Sequence, residues 1–108
     1  MKWYRKAAEQ GYAYAQFMLG FMYRGGKGVP QDYKEAVKWF RLGAEQGYAE
    51  AQYLLGGMCC EGKGVPQDYT ESLKWYRRAA EQGHVATQSN IGSMYYEGKA
   101  FPKTTKRP

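Results

Sequence analysis

Hydrophobic and polar positions along the chain form two alternating helical patterns that recur every 36 residues. In the first pattern, apolar side chains recur at three- and four-residue spacing over residues 12–24, 48–60 and 84–96. The second pattern fills the stretches that begin after Asp32 and Asp68, and no segment alternates with the period of two that a β-strand requires. Short connections between amphipathic helices favour antiparallel hairpins. The chain is therefore predicted to be all-α, an α-α superhelix (solenoid) of antiparallel helix hairpins with about six helices.

The period is also visible residue by residue. Trp3, Trp39 and Trp75 stand at equal spacing, and residues 3–38 and 39–74 align without a gap and agree at 23 of 36 positions. A unit of this size cannot bury its hydrophobic face alone and becomes stable by stacking on its neighbours. Stacked units build an extended surface rather than a catalytic pocket, so the repeat favours a binding scaffold.

The period also sets the predicted domain boundaries, a single repeat domain at residues 1–98 and a basic C-terminal tail at 99–108. Within the domain we expect a partial repeat 1–11, repeats 12–47 and 48–83, and a degenerate repeat 84–98. The formal net charge is +6, and four of the excess cations lie in the tail: Lys99, Lys103, Lys106 and Arg107. The repeat domain therefore lacks a stripe of basic residues that could follow a phosphate backbone. We expect neither a nucleic-acid nor a membrane partner. A contact of the tail with nucleic acid or an acidic membrane is the minor alternative.

Two local signals predict details of the hairpins. Asp32 and Asp68 suit the N-cap position, and Glu35 and Glu71 follow three residues later, where a carboxylate can reach back to the cap amide in a variant of the capping box.

A glycine recurs inside the first helix of each hairpin, at Gly20, Gly56 and Gly92. Glycine there costs about 1 kcal/mol relative to alanine, so its recurrence predicts that another helix approaches too closely for a β-carbon.

The ordered elements of each period resemble a known family. One stretch of the sequence closely resembles the Sel-one-like repeat, a relative of the tetratricopeptide repeat. It reads AEAQYLLGGM, then two cysteines, then EGKGVPQDYTESLKWYRRAAEQG. The resemblance covers about residues 2–102. It implies a curved α-α superhelix that acts as an adaptor for protein complexes, often in bacterial signalling or host interaction. It supplies no common catalytic residues.

Candidate chemistry elsewhere in the chain is sparse. Cys59 and Cys60 are adjacent, so a bridge between them would be strained and we expect free thiols in a reducing compartment. His84 is the only histidine, too little for a metal site or a Cys–His pair, and it is predicted to be structural. The glycines around Lys63 lack the Ser or Thr of a phosphate-binding loop. The sequence thus predicts no enzyme, cofactor or metal. Without a secretory or membrane-length apolar segment, it also predicts a cytoplasmic location.

Positions that differ between the copies form a separate pattern. Four of them, at residues 14, 17, 21 and 24, share one helical stripe. In tetratricopeptide-like stacks the corresponding stripe lines the concave groove. We therefore predict a partner-binding groove formed by Tyr14, Phe17, Phe21, Arg24, Glu50, Tyr53 and Tyr96. Two alternatives remain: the residues of the stripe face solvent and vary without a function, or Phe17 and Phe21 pack between hairpins.

The predicted function is a protein–protein interaction scaffold that binds a partner peptide or protein in this concave groove. The sequence begins in the middle of a repeat, and the third copy of the repeat degenerates after Gly98. A second prediction is therefore a self-associating structural module, a homo-oligomer through open repeat ends, or a piece of a longer repeat array.

Overall fold

The computed structural model describes residues 2–85, 87, 88 and 91 and is built from helices without a strand in that part of the chain. Five helices lie wholly within these residues: α1 (Lys2–Glu9), α2 (Ala13–Gly25), α3 (Tyr33–Glu45), α4 (Ala49–Glu61) and α5 (Tyr69–Glu81). Residues 85, 87, 88 and 91 are also helical, so the predicted sixth helix has begun there. The other residues for which a sixth helix was predicted, Tyr96 among them, and the tail at 99–108 lie outside the described residues.

Each helix packs mainly on its neighbours in the chain. α2 packs on α3 and α4 packs on α5 as two hairpins, α3 packs on α4 between them, and α1 packs on α2. This arrangement confirms the predicted all-α fold of stacked hairpins.

Two hydrophobic clusters hold the stack together, and a tryptophan joins three helices in each. Trp39 packs with Ala8 of α1 and Leu19 of α2, and only 5% of its surface is exposed. Trp75 packs with Leu55 of α4 and with the buried face of α3, and it is 2% exposed. Because each tryptophan contacts its own hairpin and the preceding one, the repeated Trp links one unit to the next.

Close approach explains the glycine inside α2 and α4, as predicted. A β-carbon at Gly20 would lie 2.7 Å from the Phe40 ring, and one at Gly56 would lie 2.7 Å from the Tyr76 ring. Side chains almost never approach so closely, so both positions need a hydrogen in place of a methyl group.

The predicted N-caps are present in α3 and α5. The Asp32 carboxylate accepts from the backbone amides of Lys34 (3.1 Å) and Glu35 (3.2 Å), and the Asp68 carboxylate accepts from the amide of Glu71 (3.0 Å). These bonds satisfy amides of the first turn that have no partner within the helix.

The capping-box prediction, in contrast, is wrong. The amide of Asp68 donates to the carbonyl of Cys59 at 2.8 Å, which leaves nothing for the Glu71 carboxylate to accept there. Glu71 instead accepts from the indole Nε1 of Trp75, one helical turn further on, at 2.9 Å. In the first hairpin the amide of Asp32 likewise donates to the carbonyl of Tyr23, and Glu35 accepts from the indole Nε1 of Trp39. The long loop brings each cap amide to an unsatisfied carbonyl at the end of the preceding helix, and this contact replaces the local one.

A set of glutamines that we call the glutamine ladder (Gln16, Gln46, Gln52 and Gln82) connects the hairpins by hydrogen bonds. Buried Gln52 donates to the carbonyl of Ala44 at 3.1 Å, and its Oε1 accepts from Nε2 of Gln82 at 3.1 Å. Gln82 also donates to the carbonyl of Gly47 at 2.8 Å. One period earlier, Gln16 and Gln46 make the same bonds with Ala8 and Gly11.

Candidate functional site

The predicted stripe on α2 is a continuous strip of side chains. Ring centroids of Tyr14 and Phe17 lie 6.3 Å apart, and those of Phe17 and Phe21 lie 6.2 Å apart. The guanidinium carbon of Arg24 lies 5.4 Å from the centroid of the Phe21 ring, a cation–π contact. The structure therefore brings these four predicted residues together, which we call the α2 strip.

Members of the α2 strip differ in burial. Tyr14 is 49% exposed, whereas Phe17 and Phe21 are partly buried against the core around Phe40. The Phe17 ring also lies 5.4 Å from the ring of Tyr48, which belongs to the next hairpin. Phe17 thus packs between hairpins, the alternative weighed for it above, while Tyr14 presents its ring to solvent.

One end of the α2 strip is a cluster of tyrosines with an acid, which we call the tyrosine end (Tyr4, Tyr14, Tyr48 and Glu50). Tyr14 lies 6.4 Å from Tyr4 and 6.1 Å from Tyr48, measured between ring centroids. The electrostatic influence of Tyr4 raises the pKa of Tyr14, and burial, a hydrogen bond to Tyr4 and the charge of Glu50 act in the same direction. Burial, followed by the charge of Glu50, raises the pKa of Tyr48. The negative charge at this end of the strip is that of Glu50.

The other end of the α2 strip opens into a recess of about 400 Å³ between the two hairpins. We call it the Gly57 recess; Arg24, Tyr53, Leu54, Gly57, Lys63 and Tyr76 are among its lining residues. Gly57 occupies the position that Phe21 has in the first hairpin, and its missing side chain leaves the space open. The sequence comparison marked this pair as variable, but Gly57 was not predicted as a site residue because a glycine offers no side chain for binding.

Charges around the Gly57 recess are only partly compensated. The ammonium of Lys63 lies 3.4 Å from the carboxylate of Glu61 and 5.5 Å from the centroid of the Tyr33 ring. The guanidinium of Arg24 forms no ion pair within the part of the chain that the structure describes. Its positive charge is thus the uncompensated one at the recess.

The remaining predicted site residues fall in three different places. Glu50 belongs to the tyrosine end, and Tyr96 is outside the described residues. Tyr53 lines the Gly57 recess, with its ring 5.8 Å from Tyr76 and 5.0 Å from His84. His84 places Nδ1 2.8 Å from the hydroxyl of Thr87, so its ring packs on one neighbour and bonds another at the start of the next helix. Its environment is that of a structural residue.

Cys59 does not form an activated site. It is a buried free thiol. Burial raises the pKa of the Cys59 thiol, with the negative charge of Glu71 as the next cause, so at neutral pH the group is a thiol rather than a nucleophilic thiolate. No group of three or more His, Cys, Asp or Glu side chains in the described part of the chain is arranged to hold a metal ion.

A membrane-spanning element is also missing from the described residues, because none of the helices there combines the necessary length with the necessary apolar character.

Stacked antiparallel hairpins with an aromatic surface strip define a helical-repeat protein of the solenoid class. The family profile described as "Sel1 repeat" matches residues 1–12, 13–48 and 49–84. The chain therefore belongs to the Sel1 repeat family. Members of this family are generally protein–protein interaction modules and typically non-enzymatic scaffolds.

Solved structures support the assignment. The chain is 48% identical to a protective antigen of uropathogenic Escherichia coli strains that displays an SLR fold, with a TM-score of 0.92 over 95% of this chain and 22% of the antigen. It is 47% identical to a Sel1 repeat protein from Oxalobacter formigenes, with a TM-score of 0.88 over 94% of this chain and 42% of that protein. Cysteine-rich protein B of Helicobacter pylori shares the fold at 23% identity, with a TM-score of 0.77 over 82% of this chain and 66% of that one.

The chain thus spans only about a fifth and about two fifths of the length of the first two structures. A search of curated proteins finds no significant match.

Proposed function

We propose that this chain binds a segment of a partner protein along the α2 strip and its continuation on α4, as the concave groove of the superhelix. The observation that carries the proposal is the strip itself, in which exposed Tyr14 and the Arg24 guanidinium flank two partly buried phenylalanines. Tyrosine and arginine are enriched among the residues that contribute most to binding free energy at protein interfaces. Phe17 and Phe21 fix the position of the strip because their rings pack against the hydrophobic core.

Opposite charges at the two ends of the strip would orient the bound segment. Glu50 lies beside Tyr14, and Arg24 lies ten residues further along α2, about 15 Å away at 1.5 Å per residue. A segment with a basic end near Glu50 and an acidic end near Arg24 would match both ends. Such charge complementarity contributes mainly to specificity and to the rate of association.

Affinity capture with the purified chain, followed by mass spectrometry, tests this function. Proteins enriched by the wild-type chain should be lost when Tyr14→Ala or Arg24→Ala is used as bait, and the melting temperatures of both variants should remain within a few degrees of wild type. Leu42→Ala is the matched control, since Leu42 is 40% exposed on α3 and outside the strip. If both variants capture the same proteins as wild type, or if they lose binding only together with thermal stability, the assignment of the strip is wrong.

Self-association is the second candidate, and the exposure of Trp3 favours it. Trp3 is 65% exposed, whereas Trp39 and Trp75, at the same repeat position, are 5% and 2% exposed. The two buried rings pack against the first helix of their own hairpin, and the described structure holds no such helix beside α1. A second copy of the chain, or the preceding repeat of a longer array, would supply it.

Light scattering over a wide concentration range tests self-association. A dimer that forms as concentration rises, and that Trp3→Glu abolishes, supports it. A strict monomer at all concentrations rules it out without affecting the proposed partner-binding strip.

A further inference from the structure

We infer that the Gly57 recess determines the specificity of this surface by accepting an acidic side chain, aspartate or glutamate, from the bound partner segment. The inference rests on the proposed function, because it assumes that a segment lies along the α2 strip. It adds a defined subsite and the chemistry of its occupant.

The shape of the recess differs from that of the corresponding surface in the first hairpin. The two hairpins share most of their residues, yet Phe21 covers the surface of the first and Gly57 leaves the corresponding place open in the second. A β-carbon at Gly57 would meet only the hydroxyl oxygen of Tyr76, at an ordinary 3.5 Å. Close packing therefore does not explain this glycine, unlike its neighbour Gly56, whose β-carbon would lie 2.7 Å from the Tyr76 ring. The recess is a feature of the second hairpin that the fold does not require.

The charge of the recess favours an acidic occupant. Arg24 reaches the recess from the first hairpin, and its guanidinium lies over the Phe21 ring without a carboxylate partner in the described residues. Glu61, the acid at the rim, is 3.4 Å from Lys63, so this pair is neutral as a unit. A carboxylate that enters the recess can pair with Arg24 through charge-assisted hydrogen bonds, while Leu54 and Met58 contact its methylene groups.

The arrangement disfavours other occupants. A basic side chain would be repelled by Arg24, and a purely apolar one would leave the guanidinium without a partner as water is displaced. The acidic tyrosine end, about 15 Å away along α2, is the place for a basic group of the same segment.

Selection from a displayed library of random peptides about 12 residues long is the first step of the test. Binders to the wild-type chain should be enriched in Asp or Glu at one position. A selected sequence is then synthesised with Glu, Gln or Lys at that position, blocked at both ends, and its dissociation constant is measured by calorimetry. The Glu peptide should bind at least about tenfold more tightly than the Gln peptide, as expected for the loss of a charged hydrogen bond.

Arg24→Gln and Gly57→Phe identify the subsite. In Arg24→Gln the Glu and Gln peptides should bind equally, because the cation that distinguishes them is gone. Gly57→Phe, which copies the first hairpin, should fill the recess and remove the same preference while the chain stays folded by circular dichroism. Gly57→Ala leaves most of the recess open and should keep the preference, and Glu61→Gln should leave it unchanged or slightly increase it.

Three results separate the two proposals. If the library yields no binders, both the proposed function and this subsite are wrong. If binders depend on Tyr14 but show no acid preference, or keep that preference in Arg24→Gln or in Gly57→Phe, the strip stands and the subsite is wrong. If the preference disappears in both of these variants and persists in Gly57→Ala, the recess is the acidic subsite.

Discussion

Cys59 stands where the first hairpin has Tyr23, and this one difference redirects an arginine. Arg5 of α1 donates a hydrogen bond to the Tyr23 hydroxyl of α2. The arginine one period later, Arg41, faces a thiol, which is a weak acceptor, and lies instead 3.6 Å from the carboxylate of Glu71. Where Arg5 bonds the neutral hydroxyl of Tyr23, Arg41 thus forms an ion pair with Glu71 that joins α3 to α5.

Ser72 is a second position at which the hairpins differ, and it carries a stability prediction. Its hydroxyl is buried without a hydrogen-bond partner, whereas the first hairpin has the buried Ala36 there. We expect Ser72→Ala to raise the free energy of unfolding by about 1 kcal/mol, because the desolvation of an unpaired hydroxyl is removed. Urea denaturation measures the change.

The reciprocal variant is the matched control. Ala36→Ser should lower the free energy of unfolding by a similar amount. A Ser72→Ala variant less stable than wild type would show that the hydroxyl has a stabilising contact.

At the scale of the element, the first turn of α5 depends on Glu71. Its carboxylate accepts from the indole of Trp75 at 2.9 Å and lies 3.6 Å from both Lys74 and Arg41. Burial raises the pKa of Glu71, but the hydrogen bond from Trp75 and the charges of Lys74 and Arg41 together outweigh it, so the pKa lies below its ordinary value. The folded state therefore stabilises the ionised carboxylate.

Glu71→Gln should therefore lower stability in a pH-dependent manner. A carboxyl group with a depressed pKa stabilises the fold above its unfolded pKa, and this contribution is lost as the pH falls through the folded value. We expect a loss of about 0.5–1 kcal/mol at pH 7, since the group is partly exposed, and a shrinking difference from wild type below about pH 4. Urea denaturation at several pH values provides the measurement.

Glu35→Gln is the comparison for this prediction. Glu35 also bonds a tryptophan and lies 3.7 Å from Lys38, but among the described residues no arginine of a neighbouring hairpin pairs with it. Its loss should be smaller, and an equal or larger loss would contradict the role assigned to Arg41.

At the scale of the whole molecule, the hairpins are held together by tryptophans and by the glutamine ladder. In a repeat protein, stability is a sum of units and of interfaces between neighbours, so residues at an interface affect the coupling of the stack. Gln52 is 4% exposed and bonds both the end of α3 and Gln82 after α5. It is therefore a polar contact that couples the two complete hairpins.

Gln52→Ala should lower the free energy of unfolding by about 1–3 kcal/mol, because the Ala44 carbonyl and the Gln82 amide lose a buried partner. Chemical denaturation followed by circular dichroism measures it. Gln67→Ala is the control, because exposed Gln67 bonds the Cys60 carbonyl within its own hairpin at 3.0 Å. If the two variants lose the same amount, the ladder does not couple the hairpins.

Much of the fold was predictable from local pattern, and the errors have one physical cause. Helix positions, the caps at Asp32 and Asp68 and the close approach at Gly20 follow from short-range rules that hold in any context. The capping box failed because a carbonyl of the preceding helix took the amide that Glu71 was expected to bond. Such competition depends on which distant group the loop brings near.

The candidate site shows the same division. The α2 strip was predicted because residues at spacings of three, four and seven share a helix face whatever surrounds them. Its inner members proved partly buried, and Gly57 was not predicted as a site residue, because exposure and empty space depend on the neighbouring hairpin.

By itself, the sequence determined the helices, the hairpin stack and the family of this protein, since these depend on periodicity and on motifs within 36 residues. Only the tertiary structure decided which strip residues are exposed, where Arg24 lies relative to the second hairpin, and that a recess opens at Gly57. The reason is that burial, cavities and uncompensated charge are properties of surfaces that different repeats form together. The sequence of a single repeat does not contain this information.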